Sequence, residues 1–361
     1  KLNLKPVMST SQLLKTVDNA IAFVQSSYDD DSKQAYSDFN KELNKAKIKL
    51  NDGRSIGVVG LGTFLWPREN RFDQFEENKL DEDQLKEHQE KDKKEIGEFK
   101  QAVITAINSG YTHIDTAQRY RTEYIVGDAI EHLLTTNKDL KREDIFITTK
   151  IARSVRDKET CRKCIDDSLK NLKTDYIDLL LIHSPHTDQP QGKRGQDIVH
   201  LYQVMIEAQK QGKIKSIGVS NFGIKHLETF NKLYPNNKPV VNQIEIAPFL
   251  YEKELIEYCR KNNIVLEAYC PLSQADEKAR TNELLNELGK KYNKSWAQVM
   301  LRWGLQKGFV ILPKSTTPSR IKENGNIFDF ELSEEEMTKL DGLSVAKLRK
   351  CWDPLNEEWD I

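Results

Sequence analysis

Long apolar runs are missing from this sequence. Nothing in it approaches the ~18 residues that a membrane-crossing helix needs, so no membrane span is expected. Charge of one sign is missing too. Lys and Arg number 55 against 56 Asp and Glu, a formal net charge of −1, and without a basic field a nucleic-acid partner is not expected. Cysteine is scarce: five in 361 residues make no disulfide framework. Cys161 and Cys164 form one C-x-x-C, but with no second pair and no nearby His they read as two thiols on a helix in a reducing compartment, not as a zinc site, and no metal is expected. No signal-peptide pattern opens the sequence given, which starts at Lys1, and a cytoplasmic location is the expectation. A G-x-G-x-x-G is lacking after the first strand-like run, because glycines 57, 60 and 62 do not make that spacing. Its absence argues against an open doubly wound sheet.

What is present is a repeat of short apolar runs and amphipathic stretches. The runs are Val58–Gly62, Thr112–Asp115, Ile145–Lys150, Ile177–His183, Ile214–Ser220, Val240–Ile244, Val265–Tyr269 and Val310–Pro313. They are dense in Ile, Val and Leu with little alternation, as parallel strands buried on both faces should be. Between them lie helical patterns. Glu159–Leu172 sets Cys161, Cys164, Ile165, Ser168, Leu169 and Leu172 at three-and-four spacing, and Leu201–Gln211 is closed by Gly212. Eight such units predict an α/β fold, a (β/α)8 TIM barrel.

Additions flank that barrel. Residues 1–46 read as an N-terminal helical extension, with stripes Leu14, Val17, Ile21, Val24 and Tyr36, Phe39, Leu43, Ala46. Lys47–Val59 reads as an N-terminal β-hairpin turning at Asn51-Asp52-Gly53, placed to close the barrel bottom. The barrel domain spans 47–343, and 344–361 is a C-terminal tail carrying Trp352 and Trp359. Residues 68–95 are nearly all polar, with both signs of charge mixed, and read as a solvated loop or helix extension. Following the first strand, they emerge at the face where barrel enzymes keep their active sites, so a flap over substrate is the other reading.

The strand ends carry the chemistry. Asp115, Lys150 and His183 close three consecutive runs, and Tyr120 follows Asp115 by five residues. One ionisable residue after an apolar run is ordinary. Three aimed at one face are costly to bury unless they pair.

Thr112-His113-Ile114-Asp115-Thr116-Ala117-Gln118-Arg119-Tyr120, with Glu123 and Val126-Gly127, resembles the signature of the aldo-keto reductase family around its catalytic Asp and Tyr. Thr148-Thr149-Lys150 and Leu179-Leu180-Leu181-Ile182-His183-Ser184-Pro185 resemble the segments with its catalytic Lys and His. Gly218-Val219-Ser220-Asn221-Phe222 and Asn242-Gln243-Ile244-Glu245 are similar to its nicotinamide contacts. Ile311-Leu312-Pro313-Lys314-Ser315 with Arg320-Ile321-Lys322-Glu323-Asn324 is similar to its adenosine-phosphate clamp. The likeness runs from Lys47 to Leu343, and six ordered motifs make it specific where one would be weak.

The resemblance implies NADPH-dependent reduction of an aldehyde or ketone, a small-molecule carbonyl substrate. Hydride delivery to the carbonyl carbon leaves charge on oxygen, and a proton donor must meet it. Tyr120 is the implied acid. Lys150, held charged by Asp115, is expected to lower its pKa, and His183 to orient the carbonyl. Tyr269 is expected to stack on the nicotinamide, with Ser220, Asn221, Gln243 and Leu272 also at the cofactor. Lys314, Ser315, Thr316 and Arg320 are expected at the 2′-phosphate, and Glu323 and Asn324 at the adenine.

Several positions depart from the family. Ser184 stands where many relatives carry a Trp that walls the substrate pocket, which should open the site. Phe64 stands where Trp is frequent, with Trp66 close by, and both are expected in the pocket with Ser184. Ala247 replaces a common His and Cys270 a common Ser. The loop His186–Asp197 is polar and offers little apolar wall, and the tail matches poorly. The competing reading is a structural or interaction module that keeps the cofactor site and docks a protein partner through 1–46 or 68–95. A carboxylate-based barrel hydrolase fits poorly, for want of an acidic partner to Asp115.

Overall fold

A computed structural model of the chain describes residues 43–64, 82–186, 194–351 and 353–359, with backbone alone at 82–92 and 194. The extension 1–46 up to residue 42, Trp66, Trp352, residues 68–81 of the charged segment and most of the His186–Asp197 loop lie outside the described residues.

A hairpin comes first. β1 (Lys47–Lys49) pairs antiparallel with β2 (Ser55–Gly57), with Lys49 opposite Ser55. Gly53 turns the chain at φ +91°, a conformation that costs glycine little. Ile48, Leu50 and Ile56 point inward and are buried. The turn is tied to the barrel floor: the Asn51 amide donates to the Pro239 and Asn263 carbonyls, and Ser216 Oγ donates to Asp52.

Eight parallel strands follow: β3 (Gly60–Gly62), β4 (His113–Asp115), β5 (Phe146–Ile151), β6 (Ile177–Ile182), β7 (Ile214–Ser220), β8 (Val241–Glu245), β9 (Val265–Tyr269) and β10 (Val310–Leu312). They pair in chain order. The ends meet where Ile311 N donates to Val58 O at 2.9 Å and Gly62 N to Pro313 O at 3.0 Å, so the sheet closes on itself. A closed barrel leaves no strand edge for another chain to pair with.

Around it run α1 (Glu82–Asn108), α2 (Glu123–Thr136), α3 (Lys158–Leu172), α4 (Arg194–Lys210), α5 (Ile224–Leu233), α6 (Lys253–Lys261), α7 (Glu277–Arg280), α8 (Glu283–Tyr292), α9 (Trp296–Gln306), α10 (Pro318–Gly325) and α11 (Glu334–Asp341). Local chemistry sets their ends. Asp157 caps α3 by accepting from Thr160 N, Ser295 and Gln298 form a capping box on α9, and Gly212 (φ +81°) follows α4. α1 to α4 pack in succession, α7 to α10 do likewise, and α10 packs on α1.

Of the two forms read for the charged segment, residues 82–95 take the helix extension: they are the first turns of α1, which buries Phe99, Ala102, Val103 and Ala106 further along. One boundary differs from the sequence reading. Residues 194–197, read as loop, are the first turn of α4.

Candidate active site

β4 and β5 lie in register with Asp115 opposite Thr148. Lys150 therefore rises from the next strand to the level of the Asp115 carboxylate. Its Nζ donates at 2.8 Å to Asp115 Oδ1, at 2.8 Å to Oδ2, at 2.8 Å to Thr116 O and at 3.4 Å to Tyr120 OH. The ammonium is 0% exposed, and these partners use its full donor capacity. A one-turn 3-10 helix, Gln118–Tyr120, swings the phenol back over the ion pair. The Tyr120 ring lies edge-on to His183, centroids 5.5 Å apart, and edge-on to Phe64 at 5.0 Å. The four residues at three strand ends and one turn form one cluster.

Electrostatics follow from burial. Desolvation works hardest against the Lys150 charge, but Asp115, Tyr120 and Glu267 together outweigh it and hold the ammonium above its ordinary range. Desolvation pushes the Asp115 carboxyl up, and Lys150 and Gln243 pull it back. His183 is held well below its usual value, first by burial and then by Lys150, Arg119 and Arg153, so it is neutral near pH 7. One expectation is corrected. Lys150 does pull the Tyr120 phenol down, but burial outweighs it, and the phenol stands at about 12, above an ordinary tyrosine.

Beneath this layer lies a second one. Gln243 Nε2 donates to Asp115 Oδ2 at 2.8 Å and to Glu267 Oε2 at 2.7 Å. Glu267, midway along β9, is fully buried, and burial followed by the Asp115 charge raises its carboxyl to about 8. His113 lies 3.8 Å from Glu267 Oε1 and bonds Thr148 Oγ1 at 2.9 Å. A Cβ on Gly60 would come within 2.6 Å of His113 Nδ1, so a glycine is needed for this ring to fill the barrel. Sequence reasoning missed Glu267. The signal was there: a carboxylate inside the apolar run Val265–Tyr269.

The segments expected at the cofactor line the same face. Tyr269 OH donates to Asn221 Oδ1 at 2.7 Å, and Asn221 Nδ2 donates to His183 O at 3.0 Å. Ser220 Oγ donates to Gln243 O at 2.9 Å. Ser220, Asn221, Gln243 and Tyr269 thus form one internal network. Residues 270–275 follow, with left-handed backbone at Cys270, Ser273, Gln274 and Ala275 and with Leu272 half-buried. Such non-glycine conformations cost energy and cluster at binding sites. Ser273 Oγ, in a residue 1% exposed, has no hydrogen-bond partner among the described residues. Past β10, Lys314 and Arg320 are exposed at the opening of α10, Thr316 is half-buried, and Ser315 is buried with its Oγ accepting from Thr317 N. Glu323 accepts from Ser295 Oγ at the start of α9, and Asn324 is buried.

Ser184 is 2% exposed and its Oγ accepts from His186 N. The tail docks beside it. Trp359 Nε1 donates to Pro185 O, its ring packs on His226, Phe222 and Phe230, and His226 Nε2 bonds Glu357 O. A Cβ on Gly223 would meet Leu355 O at 1.8 Å, so this glycine admits the tail. Phe64, 38% exposed, is the described pocket residue that stands at the surface. Among the described residues no group of three or more His, Cys, Asp and Glu could hold a metal, and no helix is long and apolar enough to cross a membrane.

A closed parallel barrel with a buried Lys–Asp pair under a tyrosine at its C-terminal face belongs to the oxidoreductase class of barrel enzymes. The Aldo/keto reductase family model matches residues 84–345. The chain is 40% identical over 307 residues to an uncharacterised oxidoreductase of Schizosaccharomyces pombe, covering 85% of this chain and 96% of that one. It is 42% identical over 247 residues to a glyoxal reductase of Bacillus subtilis, covering 68% and 84%. Its fold is similar to the crystal structure of a Bombyx mori aldo-keto reductase in complex with NADP, with TM-score 0.68, 32% identity and coverage of 84% and 94%. This chain belongs to the aldo-keto reductase family.

Proposed function

We propose that this protein reduces aldehydes or ketones to alcohols with NADPH, Tyr120 giving the proton. The observation that carries this reading is Lys150 Nζ, saturated by Asp115 and Thr116 O and reaching Tyr120 OH at 3.4 Å. NADPH supplies the hydride that enters the carbonyl carbon.

The residues fit that cofactor. Lys314 and Arg320 put two exposed cations at one helix opening, which suits a phosphate. Ser273 Oγ is a buried hydroxyl in a strained loop beside Tyr269, and an acceptor such as a pyrophosphate oxygen would satisfy it. The Tyr269 ring is fixed through Asn221, so it presents one face on which a flat ring can stack.

The chain's own groups handle the proton. With its pKa at about 12, Tyr120 is protonated at neutral pH and can donate to the carbonyl oxygen as charge develops there. The O–H bond of Tyr120 breaks and an O–H bond on substrate forms. Lys150 meets the phenolate left behind, and Asp115 keeps Lys150 in place without a reorganisation cost. Neutral His183 orients the carbonyl, its ring set by Tyr120 and its carbonyl by Asn221. Purified protein consuming NADPH against a panel of aliphatic, sugar and aromatic carbonyls tests the proposal. Turnover of at least one class supports it, and tight NADPH binding without any turnover overturns it.

A further inference from the structure

The C-x-x-C that stands out in the sequence has one buried and one half-buried thiol. Cys161 is buried on α3, and burial pushes its thiol up to about 12. Cys259 is buried as well, its thiol likewise at about 12. The close pair is Cys270 and Cys351, 81 positions apart, both half-buried, with their sulfurs 3.7 Å from each other.

Both cysteines sit on fixed backbone. Cys270 follows Tyr269 directly and holds φ at +50°, opening the strained loop that carries Leu272 and Ser273. Cys351 is in the tail, where the Lys350 and Cys351 amides both donate to the Glu245 carboxylate at 2.6 and 2.9 Å. Lys350 also bonds Asp276 just beyond the loop, and Arg349 bonds Glu252 at 2.5 Å. A disulfide needs about 2.05 Å between sulfurs, within reach of side-chain rotation at two partly exposed thiols.

We propose that Cys270 and Cys351 form a reversible disulfide that staples the C-terminal tail to the loop after Tyr269. Cys351 is the attacking sulfur: the Cys270 thiol hydrogen-bonds it and holds its pKa below the ordinary cysteine value, while the Cys270 thiol is pushed up. The oxidant is a small-molecule disulfide such as oxidised glutathione. The Cys351 thiolate attacks one glutathione sulfur, the glutathione S–S bond breaks, and a first glutathione thiolate leaves. The Cys270 thiolate then attacks the Cys351 sulfur, forming the protein disulfide and releasing the second glutathione. Two electrons pass from the protein thiols to glutathione, and their two protons end on the released thiols. Leu272 and Ser273 belong to the proposed NADPH site, so the consequence for cofactor exchange rests on that reading: the oxidised protein releases NADPH more slowly.

The full chain, equilibrated across glutathione redox ratios, alkylated and examined by intact mass and peptide mapping, tests the bond. Wild type is expected to lose two hydrogens and yield one cross-linked peptide pair containing Cys270 and Cys351. Cys270→Ser is expected to stop at a mixed disulfide on Cys351, and Cys351→Ser to stay reduced. A wild-type protein that retains glutathione on Cys351, or cross-links elsewhere, overturns the proposal. The NADPH dissociation rate should fall by about fivefold or more on oxidation and recover with dithiothreitol. A cross-link with an unchanged rate refutes the gating. Reduced protein that binds no NADPH at all refutes the cofactor reading instead and leaves the mass result to stand by itself.

Discussion

Lys150 and Lys314 are lysines at the two ends of the proposed site, and the fold treats them in opposite ways. Lys150 is wholly buried, with its donors committed to Asp115, Thr116 O and Tyr120. Lys314 is exposed beside Arg320 at the opening of α10. The floor is complete within the protein, where charge in low dielectric is strong and a missing partner is costly. The rim carries exposed cations, which a bound anion would meet at the surface. Chemistry that must not reorganise belongs on the floor, and a ligand that must come and go belongs on the rim.

The contrast can be broken from either end. Lys150→Met should have the largest effect. It strands the Asp115 carboxylate, which costs about 3–5 kcal/mol, so the urea midpoint drops and turnover is lost together. Adding Asp115→Asn should restore most of the stability and none of the turnover. Equal stability of Lys150→Met and wild type would mean that the pair is not the buried floor described. Lys314→Ala with Arg320→Ala should move the urea midpoint little, as exposed charges do, and weaken NADPH by about tenfold to a hundredfold, about 1.4 kcal/mol per factor of ten, with NADH barely affected. Equal losses for both cofactors would remove the 2′-phosphate from the rim.

Glu267→Gln probes the layer below the floor. The Glu267 carboxyl, raised from 4.5 to about 8, takes up a proton on folding. The folded state binds more protons than the unfolded one between those values, so this contribution is full below about pH 4.5 and is lost as pH rises to about 8. Urea midpoints should therefore fall from about pH 5 to about pH 8.5 in wild type, and fall less in Glu267→Gln. Parallel pH dependences would place Glu267 outside the account. The smallest effect expected is none. Tyr120 at about 12 and His183 far below 6.5 leave neither group titrating between about pH 6 and about pH 9, so kcat/KM for reduction should be level there. A break inside that window would assign the proton to another group.

The floor was more legible in the sequence than the rim or the wall, for physical reasons. Asp115, Lys150 and His183 each end an apolar run, and strand periodicity alone aims them at one face. Glu267 breaks its run in the same manner but carries no motif; strand pairing sets it opposite Gln243, and only the barrel's closure brings that pair to Asp115. The Glu323 carboxylate accepts from Ser295, a contact between two helices that no local pattern encodes. Beside Ser184, Pro185 O accepts from Trp359 of a tail more than 170 residues further along the chain, a contact that no local pattern encodes. The net position of Tyr120 was misjudged because the pull of Lys150 can be inferred from sequence and the depth of burial cannot.

Tyr120→Phe tests the central claim most directly, with hydride transfer followed in a single turnover and NADPH binding followed by fluorescence on the same protein. The account predicts unchanged binding and a transfer rate lower by about a hundredfold to ten-thousandfold. Transfer within a few-fold of wild type, with binding intact, would contradict it and take the proton away from Tyr120.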